Sequence, residues 1–476
     1  VVPGGVLARG GADVLVLSCP VRLEIDAATA TGTAHLRAGA RITFGLQHRT
    51  TSEEFPAPLP AAELDEALRL TIDAWRSWSR LHQGYQGPWR DLVHHSGRVL
   101  QALSYQPTGA VVAAPTTSLP EEAGGERNWD YRYSWVRDAS FTLEALWVAA
   151  CPDEAHQFFD YLAASSAGQV RGMHDLQIMF GVGGEHDLSE RELPHLPGWK
   201  DSRPVRVGNG AWSQTQIDVY GEVLGAAHRL ADHLSGIDDD TKGFLVACAD
   251  AAAAQWVGKD QGIWEVRGDP QHFLYSKVMC WVALDRAIAL ADTIDAGHRV
   301  DTWRRVREEI HDKVVRDGWN EEAGAFTQYI GSTALDASNL MMAVVGFLPA
   351  DDPRMLATID ATAQRLTDHR GLVYRYRTGD GVDGLAGEEG TFLLCTFWLA
   401  QALAMSGQVE RARAVFESAL VFVNDVGLLA EEVDTDTGEL LGNFPQAFSH
   451  IGLVNAAWAI TQAERRTDPT GAPEGG

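Results

Sequence analysis

The segment NWDYRYSWVRDASFTLEALW, residues 128–147, joins an aromatic loop to the start of a helix. Loops rich in glycine and aromatic residues run into helical patterns in the same way at several later points, where apolar residues recur at helical spacing. Predicted helices lie near residues 63–82, 89–105, 138–150, 153–167, 214–232, 240–257, 273–292, 299–315, 336–347, 353–367, 391–406, 408–424 and 448–464. The chain is therefore predicted to be mainly α-helical.

The order of these elements indicates how they are arranged. No fixed sequence period links the helices, so an array of near-identical repeats is not indicated. About half of the loops are long, glycine-containing and aromatic, and binding residues concentrate on such loops. We therefore predict a closed toroid of helix pairs, in which the elaborate loops meet at one end and form one pocket.

The first 50 residues differ from the rest of the chain. Short alternating runs such as VLVLS and RITFGLQH predict antiparallel strands, which are too few to form a stable sandwich alone. The polar, proline-rich segment TSEEFPAPLPA, residues 51–61, is typical of a linker. These segments predict a small β unit joined to the helical part.

Composition limits the possible partners. A formal net charge of -26 disfavours nucleic acids and anionic membranes, and is compatible with a neutral small molecule. The five cysteines are widely spaced without a CxxC pair, so neither a disulfide framework nor a metal site is predicted, and a cytoplasmic location fits best. No long apolar run or basic leader is present, so no membrane span or signal peptide is expected.

Two glutamates, Glu265 in GIWEVRG and Glu431 in GLLAEEVD, lie where glycine- and aromatic-rich loops meet helical patterns. Cleavage of a glycosidic bond needs one protonated carboxyl to assist the leaving oxygen and one ionised carboxyl to activate water. A sugar pocket also needs aromatic walls, and several of the 15 Trp flank the same loops. The pair is a candidate acid and base; the alternative is two structural or solvent-facing glutamates among 65 acidic residues.

Neighbouring loop residues could bind a sugar. Arg137 and Asp138 can together donate to and accept from vicinal hydroxyls, although Asp138 could instead cap its own helix. The loop of residues 202–224 offers Trp212, Gln216 and Asp218. Gln216 and Asp218 do not share a helix face, so one of these two could only cap or solvate the helix.

The glycine-rich segment of residues 371–398 contains Arg375, Glu388 and Glu389. This segment could wrap a polar ligand or form a mobile surface lid. The sequence contains no GxSxG, GxxxxGK[ST] or HExxH motif, which disfavours lipase-like, nucleotide-hydrolysing and zinc-hydrolase chemistry.

Five blocks in order resemble glycoside hydrolase family 15, the glucoamylase and bacterial trehalase family. They are YRYSWVRDA, VGNGAWSQTQIDVYGE, GIWEVRG with SKVMCWVALDRA, YRYR with EEGTFLLCTFWLAQAL, and LLAEE with GNFPQAFSHIGLVNAA, spread over residues 85–460. The resemblance implies an (α/α)6 barrel preceded by a partial antiparallel β-sandwich domain. We accordingly expect residues 1–50 to be the C-terminal part of that domain, 51–84 a linker with a helix, 85–466 the catalytic barrel and 467–476 a flexible tail.

The resemblance also implies site roles. Glu265 would be the general acid and Glu431 the general base, while Arg137, Asp138 and Arg375 would hold the non-reducing glucose. Trp135, Trp212 and Trp264 would shape the subsite, and Tyr131 would help to place the attacking water. Glu388 and Glu389 match a region near the leaving group, and their roles stay open.

Members of this family invert configuration, so we expect the Glu265 and Glu431 carboxyls to lie roughly 6.5 to 9.5 Å apart, leaving room for water. The leading hypothesis is an exo-acting α-glucoside hydrolase without a metal or organic cofactor, with trehalose as the first substrate and homo-oligomerisation possible. Maltose, isomaltose and maltooligosaccharides are the alternative substrates. A phosphorylase and a non-catalytic sugar-binding protein are the remaining alternatives.

Overall fold

The computed structural model describes residues 1–51, 55–149, 151–171, 176–231, 237–380, 383–385 and 387–467. Apart from residue 467, the predicted tail of residues 467–476 lies outside the described residues. The chain divides into two compact units, Val1–Leu81 and His82–Gly476. Among the described residues, none of the helices has the length and apolar character needed to cross a membrane.

The first unit contains antiparallel strands and one long helix. Strands β1 (Gly5–Gly10), β2 (Asp13–Ser18) and β5 (Gly45–Thr50) form a three-stranded sheet in the order β1-β2-β5, and β3 (Glu24–Asp26) pairs with β4 (Thr29–Thr31) in a separate hairpin. Val14 and Val16 on β2 are fully buried, as expected when side chains alternate across a sheet. The long helix of this unit is α1, Ala61–Leu81.

The second unit is helical, with two-residue strands in its loops. Its described helices are α2 Arg90–Leu103, α3 Ala139–Val148, α4 Pro152–Arg171, α5 Val219–Arg229, α6 Asp239–Gln255, α7 Leu274–Ala289, α8 Val300–Asp317, α9 Met341–Val344, α10 Pro353–Arg365, α11 Leu393–Met405, α12 Val409–Leu420 and α13 Ala447–Thr467. Its described strands are β6 Ser104–Tyr105, β7 Ala110–Val111, β8 Ser134–Trp135, β9 Met179–Phe180, β10 Arg191–Glu192, β11 Arg206–Val207, β12 Trp319–Asn320, β13 Ala325–Phe326, β14 Thr391–Phe392, β15 Glu432–Val433 and β16 Leu440–Leu441.

The helices of this unit form two concentric rings. Contacts run from α3 to α5, α7, α9, α11 and α13 and return to α3, which closes an inner ring of six helices. The even-numbered helices α2, α4, α6, α8, α10 and α12 pack outside this ring against inner partners. The predicted (α/α)6 barrel preceded by antiparallel strands is therefore confirmed.

The sequences of the helices explain which ring each one joins. The inner helix α11, LLCTFWLAQALAM, is apolar on all sides and is buried from Leu393 to Ala404. The outer helix α8 buries one stripe, formed by Trp303, Val306, Ile310 and Val314, while its other faces are largely charged. A helix that is apolar all round is stable only inside the protein, whereas a single stripe suits a helix with one face to solvent.

The loops that precede the inner helices lie at one end of the barrel, because successive inner helices follow outer ones and run in the same direction. Two of these loops are joined by the β14–β15 pairing, in which Phe392 lies opposite Glu432. The loop before α3 pairs with the loop before α5 through strands β8 and β9, in which Trp135 lies opposite Met179.

Several predicted helix boundaries are wrong by about one turn, and for one of them the structure shows the cause. The helix predicted to start at residue 214 begins at Val219, because the preceding residues bond to another loop. Gln214 donates its side-chain amide to the carbonyl oxygen of Glu265, and the Gln261 amide donates to the carbonyl of Thr215. Backbone and side-chain bonds between loops thus replace the first helical turn.

Candidate active site

A pocket lies at the end of the barrel where the elaborate loops meet. Its empty volume is about 520 Å³, including space open to solvent. Acidic, basic and aromatic side chains from loops far apart in sequence form its wall. The lining residues are Ala113, Tyr131, Trp135, Arg137, Asp138, Trp264, Glu265, Arg375, Phe392, Leu394, Glu431, Gln446 and Phe448.

Glu265 is held in a conformation that side-chain-bearing residues rarely adopt. Its φ angle is 57°, in the left-handed region, which costs about 1 to 2 kcal/mol for an L-residue. The turn is fixed because the Glu265 amide donates to the carbonyl of Gly262 at 3.1 Å, while Gln214 binds the Glu265 carbonyl. Such strain persists where the surroundings over-determine it, and it occurs preferentially at functional sites.

The Glu265 carboxyl has two donors on one oxygen. The Trp135 indole Nε1 donates to Oε1 at 2.6 Å, and Arg137 Nη1 donates to the same atom at 3.0 Å. Arg137 also donates to the carbonyl of Ile263 at 2.7 Å, so the guanidinium is fixed relative to the Glu265 loop. The Glu265 carboxyl therefore lies at a defined position with a cation beside it.

Asp138 does not cap its own helix. It occupies the N-terminal position of α3 but makes no side-chain capping bond, and its Oδ1 accepts from Arg137 Nε at 3.2 Å. Burial raises the pKa of Asp138 to about 6, and the positive charge of Arg137 opposes this rise. Both side chains line the pocket, and the Arg137 guanidinium lies over the Phe448 ring at 5.1 Å.

Glu431 presents a buried carboxyl to the same pocket. Tyr131 donates its hydroxyl to Glu431 Oε1 at 2.9 Å, and the Gln446 amide lies 3.4 Å from that oxygen. The other oxygen, Oε2, has no hydrogen-bond partner among the described residues. Burial raises the pKa of Glu431, while the Tyr131 hydrogen bond and the charge of Arg375 oppose the rise.

The backbone of Gly442 packs against Glu431. A Cβ atom at Gly442 would lie 2.9 Å from both Cβ and Oε2 of Glu431, closer than non-bonded carbon atoms approach. The φ angle of Gly442 is 79°, so glycine is favoured there by conformation as well as by space. The hairpin between β15 and β16 thus fixes where the Glu431 carboxyl lies.

Arg375 is positioned by a buried acid. Its Nε donates to Glu389 Oε2 at 2.7 Å and its Nη2 donates to Oε1, which gives a bidentate pair. Glu389 also accepts from Arg127, whose Nη2 donates to Asp383 at 2.8 Å. The Arg127 side chain is 0% exposed, so this network fixes Arg375 from beneath the pocket.

Aromatic side chains surround the polar groups. Trp264 is oriented because its Nε1 donates to both Asp336 oxygens, at 2.9 and 3.1 Å. The Phe392 ring lies 6.0 Å from the Trp264 ring, and Arg375 lies 4.9 Å from the centre of Phe392. Apolar ring faces beside charged hydrogen-bonding groups suit the two kinds of surface that a sugar presents.

The other predicted binding residues lie elsewhere. Glu389 is the partner of Arg375, and Glu388 is exposed. Gln216 and Asp218 are buried, and neither Asp218 oxygen has a hydrogen-bond partner among the described residues. Trp212, Gln216, Asp218, Glu388 and Glu389 are not among the residues that line the pocket.

Sequence reasoning missed several residues of the site. Phe392, Gln446 and Phe448 line the pocket. Each belongs to a sequence block quoted above, so closeness in sequence to Arg375 or Glu431 could have indicated them. Glu121 lies beside Glu431 and Glu432, with one carboxyl oxygen of each within 4.8 Å of the others. Its segment SLPEEAGG has no aromatic or helical signal that marks it.

The pocket of this two-ring helical barrel combines two carboxyls, charged donors and aromatic walls, which are the features that a glycoside hydrolase needs. The family model for Glycosyl hydrolases family 15 matches residues 87–458. The chain therefore belongs to glycoside hydrolase family 15, as its sequence blocks predicted.

The chain is also similar to individual proteins. The chain is 44% identical to the trehalase of Mycolicibacterium smegmatis, over 96% of this chain and 68% of that protein. It is 41% identical to the trehalase of Mycobacterium tuberculosis, over 96% of this chain and 66% of that protein, so it spans about two thirds of the length of these relatives. A bacterial glucoamylase complexed with acarbose has a TM-score of 0.73 at 16% identity, covering 96% of this chain and 73% of that one. That likeness concerns the fold.

Proposed function

We propose that this chain hydrolyses trehalose by an inverting, exo-acting mechanism that releases β-glucose from the non-reducing unit. The observation that carries the proposal is that Glu265 and Glu431 line one pocket with different partners. Glu265 contacts a cation and an indole, whereas Glu431 is buried and contacts a phenol. Two carboxyls with separate environments can take the roles of acid and base.

Each carboxyl takes part in one proton transfer: Glu265 donates a proton and Glu431 accepts one. Protonated Glu265 gives its proton to the glycosidic oxygen as the bond from the anomeric carbon to that oxygen breaks. Arg137, 3.0 Å from Glu265 Oε1, then stabilises the carboxylate that remains. Ionised Glu431 takes one proton from water while the water oxygen bonds to the anomeric carbon from the opposite face.

The remaining lining residues suit a glucose unit. Arg137 and Asp138 provide an adjacent donor and acceptor for vicinal hydroxyls, and Arg375 provides a second charged donor. Trp135 and Trp264 contribute apolar walls to the same pocket. Tyr131 donates to Glu431, and this contact supports the further role that we assign to Tyr131, which is to hold the attacking water.

The choice of trehalose rests on the trehalase relatives. The pocket residues named above would bind the glucose unit, which is common to all α-glucosides, so they do not distinguish one α-glucoside from another. Maltose, isomaltose and maltooligosaccharides are the second candidates, favoured by the glucoamylase-like fold. A phosphorylase would bring phosphate to the position of the activated water, and the buried Glu431 carboxyl disfavours an anion there. A cytoplasmic location and homo-oligomerisation remain predictions from the sequence.

Initial rates test the substrate assignment. Trehalose, maltose, isomaltose and maltotriose are compared at equal concentration with and without inorganic phosphate, and both glucose and glucose 1-phosphate are quantified. The proposal expects the highest kcat/KM on trehalose with glucose as the product. A higher kcat/KM on maltose would move the assignment to the glucoamylase type, and glucose 1-phosphate would move it to a phosphorylase.

A further inference from the structure

Three buried carboxyl groups meet behind the pocket wall. One oxygen from each of Glu121, Glu431 and Glu432 lies within 4.8 Å of the other two. Glu432 is fully buried, Glu121 is 2% exposed and Glu431 is 6% exposed. Of the three, Glu431 lines the pocket, while the other two have no role in the mechanism above.

Each of these carboxyls has an oxygen without a hydrogen-bond partner among the described residues. These atoms are Glu121 Oε2, Glu431 Oε2 and Glu432 Oε1. Glu432 is anchored through its other oxygen, which accepts from the Gly390 amide at 2.8 Å. A buried carboxylate without donors is costly, and a protonated carboxyl can supply the missing donor to its neighbour.

The positive charges near the cluster are already engaged by other acids. Arg375 and Arg127 both pair with Glu389, and Arg127 also pairs with Asp383. Arg137 pairs with Asp138 and Glu265. Tyr131 and Arg375 face Glu431, and Glu389 adds a further negative charge beside the cluster.

Three like charges at this separation cannot all persist in a buried site. Burial raises the pKa of Glu121, and the neighbouring charge of Glu431 raises it further. Burial likewise raises the pKa of Glu432, with Glu121 as the next cause. Paired carboxylates that share one site behave in the same way, titrating as a unit with one proton held between them.

We propose that Glu121, Glu431 and Glu432 act as one titrating unit, in which the three carboxyls share a single negative charge, and that this sharing controls whether Glu431 is ionised. Glu121 and Glu432 are then positioning residues: they touch no substrate, and they act through Glu431. The catalytic consequence rests on the proposed role of Glu431 as base, whereas the sharing of protons does not.

The activity test is the pH dependence of kcat/KM for the wild type, Glu121→Gln and Glu432→Gln. Removing a competing carboxyl makes Glu431 easier to ionise, so the acidic midpoint of the kcat/KM profile moves to lower pH. We expect a shift of about one pH unit, which is at the low end of the pKa shifts that neighbouring charges cause. Glu126→Gln is the matched control, because Glu126 is exposed in the same segment. A control midpoint equal to the wild type, with both variants shifted, supports the proposal; unshifted midpoints in folded variants overturn it.

A second test does not depend on catalysis. The infrared spectrum of Glu432→Gln or of Glu431→Gln at pH 7 is subtracted from that of the wild type, and the difference is read at the band of protonated carboxyl groups. Other buried acids, such as Glu222, are present in both proteins, so their signals cancel. The proposal expects Glu432→Gln to lose protonated carboxyl signal, and Glu431→Gln to move the remaining ionisation of the cluster to lower pH. Unchanged spectra overturn proton sharing even if Glu121→Gln fails to fold. A changed spectrum together with wild-type turnover in Glu431→Gln keeps proton sharing and refutes Glu431 as base.

Discussion

Trp135 and Glu265, separated by 130 positions, are joined by a hydrogen bond of 2.6 Å from the indole Nε1 to the carboxyl Oε1. Arg137 donates to the same oxygen, so a β-strand end and a helix start together fix one carboxyl of the pocket. The second carboxyl, Glu431, is fixed by Tyr131, from the same loop as Trp135, and by the backbone of Gly442.

Substitution Glu265→Gln removes the proton that assists the leaving oxygen. We expect turnover on trehalose to fall by at least ~10²-fold, the usual scale for loss of a general acid. Gln keeps the size of the side chain, so glucose binding and the melting temperature should change little. Turnover near the wild-type value would remove Glu265 from the role of acid.

The Tyr131 hydroxyl should control the acidic limb of the pH profile. Burial raises the pKa of Glu431 to about 7, so kcat/KM should fall below this pH as the base becomes protonated. The Tyr131 hydrogen bond opposes that rise by favouring the ionised form. Tyr131→Phe should therefore move the acidic midpoint to higher pH, as measured by kcat/KM between pH 5 and pH 9. A midpoint that moves to lower pH contradicts this assignment.

Gly442→Ala should damage activity more than stability. The new methyl group would lie 2.9 Å from Glu431 Oε2 and push the carboxyl from its position. Gly331→Ala is a matched control, because Gly331 also has a positive φ, 91°, but has open space where the methyl group would lie. Both variants should lose roughly 1 to 2 kcal/mol of unfolding free energy from backbone strain. Turnover should fall in Gly442→Ala alone, and equal turnover in both would show that the contact is unimportant.

Arg127 should be a main source of stability beneath the pocket. Arg127→Met leaves Asp383 without its buried cation and removes one of the two cations that pair with Glu389, and breaking a buried ion pair typically costs about 3 to 5 kcal/mol. Arg305→Met removes an exposed i,i+4 pair with Glu309 and should cost less than about 1 kcal/mol. Urea-induced unfolding of both variants measures the difference. Equal losses would mean that the buried network contributes no more than a surface pair.

The sequence predicted the helices of the barrel well because their apolar periodicity is local. Residues 138–150 were predicted helical, and α3 spans Ala139–Val148. Glu265 and Glu431 could be selected because aromatic, glycine-rich loops surround both. The sequence could not indicate the left-handed φ of Glu265, which results from hydrogen bonds with Gly262 and Gln214 on separate turns.

Tertiary contacts also decided which predicted residues line the pocket. Residues 214–218 are used to join two loops, which leaves Gln216 and Asp218 buried beside the site. Glu389 is directed to Arg375 by a bidentate pair that spans 14 positions and by Arg127 from a remote segment. Glu121 approaches Glu431 across more than half of the chain, and its local sequence contains no sign of that contact.

Proton NMR of the glucose first released from trehalose tests the central claim most directly, because the anomers report how Glu265 and Glu431 act. If Glu431 activates water, the attacked unit leaves as β-glucose and the other unit keeps its α configuration, so the two anomers appear in equal amounts before mutarotation. Release of α-glucose alone would mean retention through a covalent intermediate and would contradict the assignment of acid and base.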